Sequence, residues 1–377
     1  MEKDQETKKK KSKYNYKKIA LAAIILIIAV IVIFKLLSSL ISLIMGHSIS
    51  SEAKITGTDA ASDYDYCRYG DGILYANSQS VKFYDDNGEY LSDVLFSAHN
   101  PYVETMGDYA VLCDMNSSKL SLLHERKDLK EFELKQPVVF AKVNKKGDVA
   151  AVTSEKGYKS SVYIYDKNGN EKYIWHSGSG YVIDCAVSDK GNKFVVLSLV
   201  SEAGKLNSAV TWFETDKEQP AGQVIIEDCF AYQLIYKGNN AYVISNNGLY
   251  KADISQVVKS VDFEGRTLLA FDTDYDGNIV TSQKTSNSGS VIIKYNSKLK
   301  EKFRKELDFE AECISCNDKK IAVSGQDNMA ILTSGGRVYA KGSMVGNVSD
   351  ILLSEKGDKI YSFSDDKIKI YSVKLGR

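Results

Sequence analysis

Two short segments carry residue types at spacings that could do chemistry. Asp272-Thr-Asp274-Tyr-Asp276-Gly277-Asn-Ile279 puts carboxylates at alternate positions ahead of a glycine, as a calcium loop does at its start. The twelfth position, where a bidentate glutamate would complete such a loop, is Gln283. Cys313-Ile-Ser-Cys316 has the spacing of zinc knuckles and redox pairs. Each segment also has a plain structural account. Asp and Gly in that arrangement build tight turns, and residues i and i+3 of a strand point to opposite faces, away from a shared ion. Asp272, Asp274 and Asp276 therefore stand as candidate metal ligands, with turn formation the better account of them. The cysteine pair is not expected to hold a metal.

Other chemistry is sparse. The chain has no His-Glu-x-x-His, no Gly-x-Ser-x-Gly, no P-loop and no dinucleotide-binding glycine fingerprint, so no catalytic residue and no cofactor is assigned. His47, His99, His124 and His176 are scattered. Six cysteines admit up to three disulfides in any of 15 pairings, yet Cys67, Cys113, Cys185 and Cys229 lie in or near apolar runs, where a small buried hydrophobe is an equal role.

The elements that must carry these residues repeat. Short runs rich in Val, Ile, Tyr and Phe alternate with Gly, Asn, Asp and Lys turns, and no segment beyond residue 46 has helical periodicity. An apolar run, a polar turn with glycine and a second apolar run recur as AKVNKKGDVAAV (141–152), AVSDKGNKFVVL (186–197), FDTDYDGNIVTS (271–282) and LLSEKGDKIYSF (352–363). Weaker copies surround Gly70, Gly107, Gly238 and Asp318. Eight turns between residues 70 and 357 leave seven intervals that average 41 residues, the size of a four-stranded propeller blade. Hairpins of the form Tyr-Asp-x-Asn-Gly, at 84–88 and 165–169, supply the later strands. The expectation is an all-β chain forming a β-propeller, with eight blades favoured over seven plus an irregular hairpin. The last unit has three strands, and Ala53–Asp59 (AKITGTD) would supply its fourth and close the ring.

These Asp-x-x-Gly turns and Tyr-Asp-x-Asn-Gly hairpins, spanning about residues 54–377, resemble those of quinoprotein-like and WD-like propellers. Quinoprotein propellers dock their cofactor with tryptophan-rich repeats, whereas this chain has only Trp175 and Trp212. The layout as a whole resembles a domain-of-unknown-function family of single-pass, membrane-anchored propellers from low-GC Gram-positive bacteria. That resemblance implies a fold and a location but no activity.

The location has its own signal in the N-terminal residues. Residues 1–18 hold eight lysines against three carboxylates, and Ile19–Phe34 has no polar side chain. Sixteen apolar residues with their flanks reach the ~20 that span a bilayer core, and lysines ahead of such a span keep it anchored with its N-terminus inside. The reading is a basic cytoplasmic tail (1–18), a signal-anchor helix (19–45), a juxtamembrane linker (46–62) and an extracytoplasmic propeller (63–377). The chain's 49 Lys plus Arg balance its 49 Asp plus Glu. Setting aside the eight lysines and three acids of the tail, together with Lys35, leaves 40 cations against 46 anions, a mildly acidic body unsuited to nucleic acid. A binding or scaffolding role is expected, with the membrane and an envelope protein or cell-wall glycan as partners. An envelope enzyme (glycan lyase or hydrolase) and a ligand sensor are the alternatives.

Overall fold

The structure, a computed structural model, describes residues 21, 24–34, 47–55, 63–202, 204–344, 346, 348–364 and 367–375. Residues 21 and 24–34 are helical, apolar and solvent-exposed. Among the described residues no helix is long and apolar enough to cross a membrane, and much of the expected span at 19–45 lies outside them.

From His47 onward the described elements are strands, 32 of them, each four to ten residues long. Six sheets contain four consecutive antiparallel strands each. The seventh has eight strands, because two blades are joined edge to edge through the N-terminal strand His47–Ile55. The result is eight blades: residues 65–95, 101–133, 138–177, 180–226, 231–262, 268–307, 313–343, and 350–375 completed by 47–55. The first strands of successive blades adjoin, so they form the inner ring around the axis.

The turns explain the repeat. At most of the anticipated positions a glycine takes a positive φ, as at 70, 107, 147, 191, 238, 277 and 357. Gly147 (φ 84°) also has no room for a side chain, since a Cβ there would come within 2.7 Å of the Tyr109 ring. Asp85 accepts the backbone N–H groups of Asn87 and Glu89, and Asp166 accepts those of Asn168 and Asn170, which closes the Asp-x-Asn-Gly hairpins.

The core lies between blades. Val111, Leu122 and Phe132 of blade 2 face Val138, Val149 and Ala151 of blade 3, and equivalent clusters recur around the ring. Each fully buried Val, Leu or Phe contributes about 1.5–3 kcal/mol. Cys313 packs against the cluster shared with blade 8 and Cys316 against the one shared with blade 6, on opposite faces of their strand. All six cysteines are free thiols.

Ring closure comes from the N-terminus, as anticipated, but the strand is His47–Ile55 rather than Ala53–Asp59, and 56–59 lie outside the described residues. It runs parallel to Val338–Ser343, with Ser48 opposite Lys341, and beside Lys367–Leu375. Ile49 anchors it in the core with Met329, Ile331 and Ile351. Gly342 permits the approach, because a Cβ there would meet Ile49 at 2.7 Å. The segment HSISSEAKI is too polar to announce itself as a strand, and only its last three residues fall in the expected segment.

Candidate binding face and channel

One face of the ring carries the links between blades and the turns between second and third strands; we term it the link face. The inner strands begin at that face, and their beginnings differ around the ring. In blades 3, 4, 5 and 6 the pairing of first and second strand slips by one residue, between Val138 and Phe140, Val182 and Asp184, Ala231 and Gln233, and Leu268 and Ala270. The extra residues are Val139, Ile183, Tyr232 and Leu269. A bulge leaves one residue unpaired and re-aims its side chain, a device common beside functional sites. In blades 7, 8, 1 and 2 the same pair of strands runs without a slip.

Exposure follows this division. Val139, Tyr181 and Tyr232 are 39, 58 and 43 % exposed near the starts of three neighbouring inner strands. In blades 7 and 8 the second residues of the inner strands, Ile314 and Ile351, are buried. Phe230 packs edge-on against Tyr232 (5.3 Å between centroids), and Tyr232 stacks with Phe271 across the junction of blades 5 and 6 (6.2 Å). Tyr158, Leu206 and Phe230 add exposed apolar surface on the same face.

Polar groups stitch the blades together, including every junction from blade 6 through 7, 8 and 1 to blade 2. Asp65 accepts the N–H groups of Tyr66 and, from the next blade, Val103 (2.8 Å each). Asp272 does the same for Thr273 and Cys316 (2.7 Å each). Ser315 Oγ accepts the Leu353 N–H at 3.0 Å, and Tyr66 Oη donates to Asp350 across the seam where the ring closes. Arg68 reaches furthest: it donates to Leu353 O (2.7 Å) in blade 8 and to Tyr275 Oη (2.8 Å) in blade 6, and Tyr275 donates on to Glu355 (2.6 Å). Burial pushes Asp65 and Asp272 up to about 6, against the pull of the N–H groups they accept. Asp350 is raised for the same reason.

Beneath the bulged half, Lys142 of blade 3 lies between Glu104 of blade 2 (3.2 Å) and Asp184 of blade 4 (3.7 Å). Burial opposes its charge, but the two carboxylates outweigh burial and hold the ammonium well above the usual lysine range. Asp184 also accepts the Leu234 N–H from blade 5 at 2.7 Å, tying four blades together.

The three candidate metal ligands part company. Asp272 is the seam carboxylate just described. Asp274 opens the turn and pairs with buried Lys294 at 2.7 Å while accepting from Asn278. Burial works against its charge, yet Lys294 and Asn278 hold its carboxyl below the usual range. Asp276 offers its backbone carbonyl to Lys237. Among the described residues no group of three or more His, Cys, Asp or Glu side chains could hold a metal ion. The seam carboxylates and the bulges gave no recognisable signal in the sequence.

A Ser-His-Glu group in blade 3 is likewise without a sequence signature. His176 Nδ1 lies 2.8 Å from Ser161 Oγ and 3.3 Å from Glu155, which also accepts from Ser161 (2.8 Å) and Tyr163 (3.2 Å). A nucleophilic relay needs the two partners on different ring nitrogens and an accessible hydroxyl. Here one nitrogen serves both, and Ser161 is fully buried. The group instead fixes the turn that presents Tyr158, whose ring stacks on His176 at 4.3 Å.

Fold and face together define an eight-bladed β-propeller with an asymmetric mouth. The chain belongs to DUF5711, a family of unknown function, whose match covers residues 45–373. No curated protein matches it. The C-terminal WD40 domain of Sif2 is similar in structure, with a TM-score of 0.62 and 13 % identity over 86 % of this chain and 98 % of that one. So is the computationally designed Ika8 protein, at 0.61 and 12 % over 86 % and 100 %. At these identities the likeness is one of fold.

Proposed function

We propose that this chain is a membrane-anchored binding module that holds a protein partner outside the cytoplasm, on the link face over blades 3–6. The single observation that carries the docking face is the run of four bulged inner strands, at whose starts Val139, Tyr181 and Tyr232 are exposed. Exposed aromatics around a rigid rim are the residue types that dominate protein interfaces. The anchor rests on the sequence: a lysine-rich tail followed by an apolar stretch that reaches the length of a span. Binding is favoured over catalysis because the polar groups of the ring are committed to joining blades.

A photo-crosslinking residue placed at Tyr232 in native membranes should capture one protein partner, while the same residue at Ile254, in a turn on the opposite face, should not. Capture from Ile254 alone would contradict the assignment of the face. Protease added to intact cells should digest the propeller; full protection would contradict the topology.

A further inference from the structure

We infer that the protein partner of this face is a second copy of the same chain, docked about a twofold axis; this rests on the binding-module reading above. The charge of the face is divided. On blade 3, Lys156 and Lys159 are exposed in the turn between second and third strands and have no ion-pair partner among the described residues. Lys159 Nζ lies 5.1 Å from the centre of the Tyr181 ring, a contact that supplies no counter-charge. The one carboxylate of that turn, Glu155, is turned to Ser161, Tyr163 and His176. On blade 4 the sign reverses. Glu202 ends one strand, Glu227 follows another, and both are exposed with no ion-pair partner among the described residues. Lys205 beside them is tied to Asp228 at 3.0 Å, so three carboxylates stand against one lysine.

Round the ring the lysines come first, then Tyr181 at the start of blade 4, then the two glutamates, then Tyr232 at the start of blade 5. Such a face is unsuited to a partner of one sign. A basic segment that answers the glutamates is repelled by the lysines, and an acidic one meets the reverse. The face is suited to itself. Under twofold symmetry the contact of residue i with j is repeated as j with i, so each copy's lysines meet the other's glutamates on both sides of the axis. The axis then passes near Tyr181, and the exposed aromatic side chains of the two rims bury against each other. An apolar centre between charged flanks is the ordinary anatomy of a protein interface.

The test uses the full-length chain, in native membranes and in detergent. A photo-crosslinking residue at Tyr232 should give an adduct of twice the chain's mass that carries the tags of two differently tagged copies. In detergent the chain should sediment as a monomer–dimer equilibrium whose affinity falls at least about tenfold between about 50 mM and about 500 mM salt. Lys156→Glu with Lys159→Glu in one chain, or Glu202→Lys with Glu227→Lys in another, should weaken self-association at least about tenfold. An equimolar mixture of the two variants should form a mixed dimer at close to the wild-type affinity, because every contact then pairs opposite charges. These side chains are exposed, so an unchanged melting temperature shows the variants to be folded. A chain that stays monomeric, self-association indifferent to salt or to both pairs, or folded variants that fail to pair in the mixture would overturn the inference. The two readings fail separately. Capture of a different protein at Tyr232 sinks the second copy alone, whereas no capture there sinks the docking face as well.

Discussion

Blades 7, 8, 1 and 2 and blades 3 to 6 build the same ring by different means. In the first group the inner strands pair without slips, the second residues of blades 7 and 8 are buried, and carboxylates, a serine and Arg68 fasten each blade to the next. In the second group every inner strand has a bulge, Lys142 and Asp184 tie blades 2 to 5 below the rim, and the Tyr232–Phe271 stack lies over the buried cluster that joins blades 5 and 6. The fastened half includes the closure by His47–Ile55, where an opened ring would expose strand edges. A half already held by its neighbours can give up ladder pairing at its rim and aim side chains outward. On the proposed function, the difference separates stability from recognition within one repeat.

The largest effect should come from the fastened half. Phe363 is fully buried, its ring stacked on Tyr66 at 3.4 Å. Phe363→Ala should cost about 3–5 kcal/mol, read as a lowered denaturation midpoint. A loss below about 1 kcal/mol would show that this half is not where the ring is held.

Next in size is a seam. Asp272→Ala strands the Thr273 and Cys316 N–H groups and should cost about 1–3 kcal/mol at about pH 4, by chemical denaturation. The same carboxylates set a pH dependence. Asp65 and Asp272 are raised from 3.8 to about 6 in the folded protein, so folding takes up protons there. Their contribution to stability is fully present below about pH 4 and is lost as pH rises through about 6. Asp272→Asn should flatten that decline, and an unchanged slope would show that Asp272 does not titrate in the window.

How much of this division could be read beforehand follows from the range of the interactions. The blade repeat was legible because turns are local: an Asx residue and a positive-φ glycine determine their hairpin within four or five residues. The closing strand was legible in kind but misplaced, since Ile49 is the one large apolar residue of its first seven. The bulges were hidden because the inserted residues Val139, Ile183, Tyr232 and Leu269 are as apolar as the core residues beside them. Seam carboxylates were hidden for another reason. Asp65, Asp184 and Asp272 find their second N–H donor 38, 50 and 44 residues away, in a neighbouring blade. Asp272 drew notice for its spacing to Asp274 and Asp276, yet its role depends on Cys316.

The smallest stability effect, and the one that sharpens the comparison most, belongs to the bulged half. Tyr232→Ala should change stability by less than about 0.5 kcal/mol in thermal denaturation, because the ring is half-exposed. It should nevertheless weaken capture of the partner about tenfold. A large loss of stability would make Tyr232 a packing residue and remove it from the rim.

The most direct test of the account is amide hydrogen exchange with and without the captured partner, resolved along the inner strands. Binding should slow exchange at Val138–Val143, Gly180–Val187, Ala231–Lys237 and Leu268–Thr273, and leave Cys313–Cys316, Asp350–Leu353 and Asp65–Tyr69 unchanged. Protection confined to the second set, or spread evenly over both, would contradict the assignment of recognition to blades 3–6.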